Sequence, residues 1–223
     1  MNYCIIGGGH FGEVAVQAFL AHDPKANIEI VDTDREVCAK WRQQGIHAIH
    51  ISGPQYLWGL LGTGKIESGS LPDWIVPSVP IHLAYEWLKT HMADHYRFDP
   101  MAVPDQVAAQ LPNTMAGAGK ALYFSLADFR CPAKCPAPAD HCAHTGTPRP
   151  LWACQLAAAV RFQDFRSIAV YSEQLHPGVG GYRPTALLEA AQQVRKAALH
   201  PILLSTACRC HGVMHGFRLR RID

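Results

Sequence analysis

The chain has 223 residues, enough for one large domain or two small ones with a real core. Apolar residues make up 48%, charged residues 17%, and the formal net charge is +2, an ordinary globular balance with no electrostatic footprint for nucleic acid. No apolar run approaches the ~20 residues that span a bilayer, so membrane insertion is not expected.

Asn2 to Ile6 reads as a short buried strand and passes at once into Gly7-Gly8-Gly9-His10-Phe11-Gly12. A helical pattern then runs to about Leu20, and a second strand, Ile28 to Val31, ends at Asp32. Strand, glycines, helix, strand and acid in this register predict a dinucleotide-binding unit. Gly7 permits the tight turn, Gly9 lets the backbone approach a pyrophosphate, and Gly12 allows close packing of helix on strand. The helix N-terminus presents free N–H groups and a partial positive charge to the phosphates. Asp32 is placed to accept hydrogen bonds from a ribose diol and to repel a 2′-phosphate, which favours NAD over NADP. The expected cofactor contacts are Gly7, Gly9, His10, Phe11, Gly12 and Asp32.

The stretch IIGGGHFGEVAVQAFL followed by IEIVDTD resembles the NAD-binding Rossmann domain of the RCK or KTN (TrkA-N-like) type, which regulates potassium channels and transporters. The resemblance covers roughly residues 1–60. It implies that Gly7, Gly9 and Gly12 hold NAD or a related nucleotide and that Asp32 holds its ribose. Where that family carries an acidic Gly-Asp pair after its third strand, this chain has Ser52-Gly53-Pro54.

The first half continues in the same style. Arg35 to Gln44 suits a helix, His47 to Ile51 a third strand, and Tyr56 to Leu61 a short helix, with a glycine- and serine-containing loop through Gly69. Trp74 to Pro80 reads as a fourth strand ending in a proline-stiffened turn. Ser78 and His82 follow it, where a Rossmann domain often approaches the nicotinamide ring. Ala84, Trp87, Leu88 and Met92 recur at helical spacing. Proline, aspartate and glycine punctuate residues 93–120, which suggests a linker or crossover between a Rossmann-like domain at 1–92 and an α/β segment at 121–223.

The second half reopens with the apolar run Ala121 to Leu126. Ser167 to Tyr171 is a strand, Pro184 opens a helix with Leu187, Leu188, Ala191, Val194 and Ala198 as its buried stripe, and Pro201 to Thr206 is another strand. Strand, helix and strand in this order imply a parallel βαβ unit. The expected class is α/β, a Rossmann-like parallel sheet with a second α/β half that carries a cysteine-rich loop. The loop His176 to Arg183 reads as a turn whose amides could cradle an anion with Arg183. The basic run Arg218 to Arg221 reads as a solvated end.

Met1 leads directly into the first strand with no signal peptide before it, so a cytoplasmic location is expected. Disulfides are disfavoured there, and the eight cysteines should remain thiols unless a metal or a redox reaction uses them. Cys4 and Cys38 look like core packing. Cys131, Cys135 and Cys142 lie with His141 and His144 in a proline-rich loop at 131–144 that cannot form a regular helix or central strand. Such a loop lacks a core of its own, and a metal bound by thiolates can organise it. A [4Fe–4S] cluster would take Cys131, Cys135 and Cys142 with a remote fourth ligand, Cys154, Cys208 or Cys210. The alternative, a structural zinc, would add His144 or another cysteine. A third reading leaves the loop without metal.

Cys208-Arg209-Cys210-His211 follows the last strand, where sites in parallel α/β sheets gather. In an extended chain Cys208 and Cys210 would share one face, as two soft ligands or as a thiol activated by Arg209. The catalytic candidates are Cys208, Cys210, Arg183 and His211. Two functions remain open. One is an NAD-dependent oxidoreductase with a cysteine-ligated iron–sulfur or zinc centre. The other is an NAD- or NADH-sensing regulator with redox- or zinc-responsive cysteines. The expected partners are a small-molecule substrate or effector and a second copy in a homodimer.

Overall fold

The computed structural model describes residues 1–62 and 71–222. The loop expected through Gly69 lies at 63–70, outside the described residues. In the first half, β1 (Asn2–Ile6), α1 (His10–His22), β2 (Asn27–Asp32), α2 (Arg35–Gln43), β3 (His47–His50), α3 (Gly53–Gly62), β4 (Trp74–Pro77) and α4 (Leu83–His91) alternate. The four strands form a parallel sheet in the order β3-β2-β1-β4. Tyr3 to Ile6 are all buried, as expected of a parallel strand covered on both faces. Tyr3 and Ile5 face α1 and α2, packing on Val16, Phe19 and Trp41, whereas Cys4 and Ile6 face α3 and α4. The Asp34 side chain caps α2 by accepting from the N–H groups of Glu36 and Val37.

The second half contains β5 (Tyr96–Met101), α5 (Asp105–Ala108), β6 (Met115–Ala116), β7 (Leu122–Ser125), α6 (Ala153–Ala159), β8 (Arg166–Tyr171), β9 (Glu173–His176), β10 (Val179–Gly181), α7 (Pro184–Lys196), β11 (Ile202–Ala207) and β12 (His211–Arg221). Its sheet runs β6-β7-β12-β11-β8. β8 and β11 are parallel with α7 between them, as the strand–helix–strand pattern implies. Every other pairing is antiparallel.

Three features correct the sequence reading. Residues 93–120 are not a linker, because β5 pairs with β12 from Tyr96↔Arg221 to Met101↔Gly216. Pro100 is tolerated there since β5 is an edge strand and Pro lacks only a ladder donor. The basic run at 218–221 is likewise not a loose end. It belongs to the 11-residue β12, and Arg220 holds Asp99 at 2.6 Å across that pairing. Finally, residues 176–183 are no simple turn, since β9 and β10 form a hairpin with Gly178 at φ +80.

That hairpin joins the halves. Tyr182 and Ile75 exchange backbone hydrogen bonds of 2.9 and 3.0 Å, which lays the hairpin along the free edge of β4. Beneath it one apolar cluster packs α3, α4 and α7 between the two sheets, from Ile6 and Ile75 to Ile168, Leu204 and Phe217. Helices α5 and α6 cover the outer face of the second sheet through Val107, Ala153 and Ala157. Each large buried side chain contributes about 1.5–3 kcal/mol. The middle layer therefore couples the halves far more strongly than a mobile interdomain contact would. Among the described residues no helix is long and apolar enough to cross a membrane.

Candidate functional site

The glycine turn is built for close approach. Gly7 has φ +104, and a Cβ at Gly12 would lie 2.1 Å from the Gly7 carbonyl oxygen. Gly8 is hemmed in by Trp41, Val37 and Ile30, and the Trp41 indole N–H donates to its carbonyl at 2.8 Å. Gly9 differs from them. A Cβ there would meet nothing within 4 Å, so the space before the first turn of α1 is open. The Gly8 N–H donates to Asp32 Oδ2 at 2.7 Å and the Asp34 N–H to Oδ1 at 2.9 Å, which fixes the carboxylate beside the turn. His10 and Phe11 stand in the first turn of α1 as exposed side chains, Phe11 at 67%. Its ring meets the His10 ring edge-on, with 5.4 Å between centroids, and stands largely in solvent.

Beyond the turn the surface is hollow. Phe11, Ser78 and Val79 border a small recess that meets the β9–β10 hairpin at Gly178 and Gly180. A cavity of about 350 Å³ adjoins it, between the C-terminal ends of β4 and β11, with His82, Thr206, Cys208 and His211 in its wall. Next comes a space of about 240 Å³ shared by Cys131, Cys135, Cys208 and Cys210. Last is one of about 480 Å³ lined by Cys131, Cys135, Cys142 and Cys210. Neighbouring spaces share wall residues, so the hollows follow one another from the recess beside Phe11 to the cysteine loop.

Cys208 to His211 does not stay extended. It is the tip of the β11–β12 hairpin, closed by the Cys208 N–H donating to the His211 carbonyl at 2.9 Å. The turn brings His211 Nδ1 to 3.7 Å from Cys208 Sγ and points the Cys210 N–H at the same sulfur. The Cys210 thiol donates to Cys208 and His211 lies beside it, so Cys208 is held well below the usual thiol range while Cys210 is pushed up.

The cysteine loop owes its order to donors from the body of the protein. Gln174 donates to the Cys135 carbonyl at 2.6 Å, Arg209 to Ala137 at 3.1 Å, Arg149 to Pro138 at 2.8 Å and Trp152 to Ala139 at 2.8 Å. The expectation that something must hold this loop is met by side chains. Gly178 supplies the fifth contact, for a Cβ on it would lie 2.0 Å from the Ala133 carbonyl. Gly178→Ala therefore adds a left-handed strain of about 1–2 kcal/mol to a backbone clash. Limited proteolysis should then cut within 131–144 roughly tenfold faster, as cleavage follows the opened population. Unchanged cleavage would show that the contact does not hold the loop.

Behind the central cavity lies a pair that the sequence did not reveal. His82 and His215, both buried, meet Nδ1 to Nδ1 at 2.9 Å, and His82 Nε2 meets the Thr206 hydroxyl at 2.9 Å. Tyr85 stacks on His215 with 4.3 Å between ring centroids. Burial and then the neighbouring His215 lower His82 to about 3, and burial lowers His215 as well. Both rings are therefore neutral, and one Nδ1 donates to the other.

Residues 84–220 match AF_1314_C, described as the C-terminal domain of an uncharacterized protein. The chain belongs to the AF_1314_C family. An Archaeoglobus fulgidus protein, itself described as uncharacterized, is 29% identical over 220 residues, which cover 94% of this chain and 96% of that protein. No solved structure matches the chain. The AF_1314_C span begins in α4 and ends in β12, so it holds the second sheet, the cysteine loop and the Cys208–His211 turn. The glycine turn lies before that span.

Within that frame the sequence candidates separate. Cys131, Cys135, Cys142, Cys208 and Cys210 are brought to connected walls, with His211 beside them. Cys154, on α6, is buried in the core among Phe124 and Met214. His144 is exposed and packs against Phe129, which lines the 480 Å³ space. Arg183 is committed elsewhere, with its guanidinium 4.0 Å from the Trp74 ring centroid. The donor chemistry suits a thiophilic metal, since four thiols face Asp128 as the one carboxylate in the 480 Å³ wall.

Proposed function

We propose that the chain is an NAD-dependent oxidoreductase whose substrate occupies the cavity between β4 and β11, with a cysteine-ligated metal centre on the loop at its far side. The observation that carries this reading is the open space at Gly9, with the Asp32 carboxylate fixed beside the turn and a recess at Phe11 and Ser78 that shares Val79 and Gly178 with the wall of that cavity. Pyrophosphate fits the unobstructed first turn of α1, and a ribose diol reaches Asp32. The exposed Phe11 ring gains a partner when a nucleotide covers it. Bound nicotinamide supplies hydride transfer.

The chain's own groups supply the rest. Hydride loss from an alcohol releases a proton, and the Thr206 hydroxyl and His82 stand in the cavity wall to take it. With both rings neutral, His82 Nδ1–H can donate to His215 Nδ1, which leaves His82 Nε2 to accept from the Thr206 hydroxyl and holds that hydroxyl toward the substrate. The soft donors of the loop lie where Cys131, Cys135 and Cys210 line the 240 Å³ space.

Calorimetric titration tests the nucleotide half. Asp32→Ala removes charge-assisted hydrogen bonds of about 1.5–3 kcal/mol, so NAD should bind roughly 10–100-fold more weakly. The preference for NAD over NADP should narrow at the same time. A merely loosened turn would weaken both nucleotides equally and leave the ratio intact. Wild-type protein that binds neither NAD nor NADH rules the assignment out, and binding without consumption of NADH by any carbonyl compound would indicate a sensor.

A further inference from the structure

We infer that the chain carries a [4Fe–4S] cluster on Cys131, Cys135, Cys142 and Cys210, and that Cys208 stays outside the ligand set and faces the substrate cavity. This rests on the reading of the loop as a metal centre and does not depend on nucleotide binding.

Both hairpin cysteines touch the 240 Å³ space in the middle, but they differ in the second space that each reaches. Cys210 lines the 480 Å³ space together with Cys131, Cys135 and Cys142, and Cys208 does not. Conversely, Cys208 lines the 350 Å³ cavity with His82 and Thr206, where Cys210 is absent. The tight turn at 208–211 produces this division, because a strand would have sent both sulfurs to one face. Four thiols around one space meet the usual count for a cubane cluster. Cys154, the rival fourth ligand, is packed into the core on α6, and His144 is exposed against Phe129.

Two observations favour a cluster over a single zinc. A tetrahedral zinc draws its four sulfurs to within about 4 Å of one another, given bonds of about 2.3 Å. The four thiols line a space of about 480 Å³, far more than a single ion fills. A cubane core of iron and sulfide stands between its thiolates and holds them apart. Second, the loop is already tied down by Gln174, Arg149, Trp152 and Arg209, which leaves no folding task for a structural ion. Arg149 also lies in the same wall, where its cation offsets the negative charge of a four-thiolate cluster.

The test is metal analysis of the full chain, purified without oxygen and reconstituted with ferrous iron and sulfide. The expected result is four iron and four acid-labile sulfide per chain, with a brown colour bleached by dithionite. Cys210→Ala should lose most of the iron and sulfide, and Cys208→Ala should keep the wild-type stoichiometry and spectrum. Cys131→Ala, on the exposed part of the loop, should lose the cluster with an unchanged far-ultraviolet circular dichroism spectrum, which guards against misfolding of the Cys210 variant. Zinc as the sole metal overturns the inference, as does loss of the cluster in Cys208→Ala with retention in Cys210→Ala. Wild-type protein with no metal overturns both this inference and the metal half of the proposed function, while NAD calorimetry still decides the other half.

Discussion

Replacing Gly9 by valine is expected to weaken NAD binding roughly 100-fold and leave the fold intact, whereas the same change at Gly12 should damage the fold itself. The contrast follows from what each new Cβ meets. At Gly12 it would lie 2.1 Å from the Gly7 carbonyl oxygen, so helix α1 could not stay seated on β1. At Gly9 it would meet nothing within 4 Å, and φ is −72, which an L-residue adopts without strain. The volume that valine fills is the volume a pyrophosphate needs. An overpacking penalty of about 3 kcal/mol in that space corresponds to roughly 100-fold in affinity. Calorimetry with NAD and thermal unfolding of both variants check the pair. A Gly9 variant that binds NAD as the wild type does would remove the basis of the nucleotide site.

Acidification should destabilise the protein through His82. An unfolded histidine takes up a proton near its ordinary 6.5, while buried His82 stays neutral down to about 3. Its folded pKa is lowered, so between pH 6.5 and 3 the unfolded state binds the extra proton and gains relative stability. The cost grows by roughly 1.4 kcal/mol per pH unit, about 2 kcal/mol at pH 5, and His215 adds in the same direction. For a chain of this length that is a fall in Tm of about 4–8 °C. His82→Gln should flatten the dependence of unfolding free energy on pH between 6.5 and 5. Equal slopes for wild type and variant would mean that the pair does not govern acid stability.

The parts of the fold that were legible in the sequence are those written in local pattern. The glycine run with its flanking strands and acid is one continuous stretch, and the structure forms β1, α1 and β2 there within a residue or two. The β8–α7–β11 unit was similarly readable from Pro184 and the stripe at Leu187, Ala191 and Val194. What stayed hidden depends on distant partners. β12 looks like a basic tail because its arginines face water, and its core residues, Met214 and Phe217, acquire meaning only beside β5 and β11. The β9–β10 hairpin was masked by glycines and a proline that read as a loop.

The same rule applies to the site. The thiols of the loop announce themselves through residue type, and so does Asp32. The His82–His215 pair does not, because the two residues are separated by most of the chain and each alone resembles an ordinary polar side chain. The clamps from Gln174, Arg149, Arg209 and Trp152 also escape a linear reading, since nothing local links them to carbonyls in another segment.

The docking of Tyr182 on Ile75 imposes an order of events during synthesis. The edge of β4 is finished by residues that leave the ribosome about a hundred positions later. At roughly 5–20 residues per second, the nascent first sheet waits roughly 5–20 s with an unpaired strand beside Trp74 and Val76. An open edge of that kind recruits other chains. Aggregation on fast overexpression, relieved by slowing translation or by chaperones that hold extended segments, is the cost of closing a nucleotide fold with a hairpin drawn from so far along the chain.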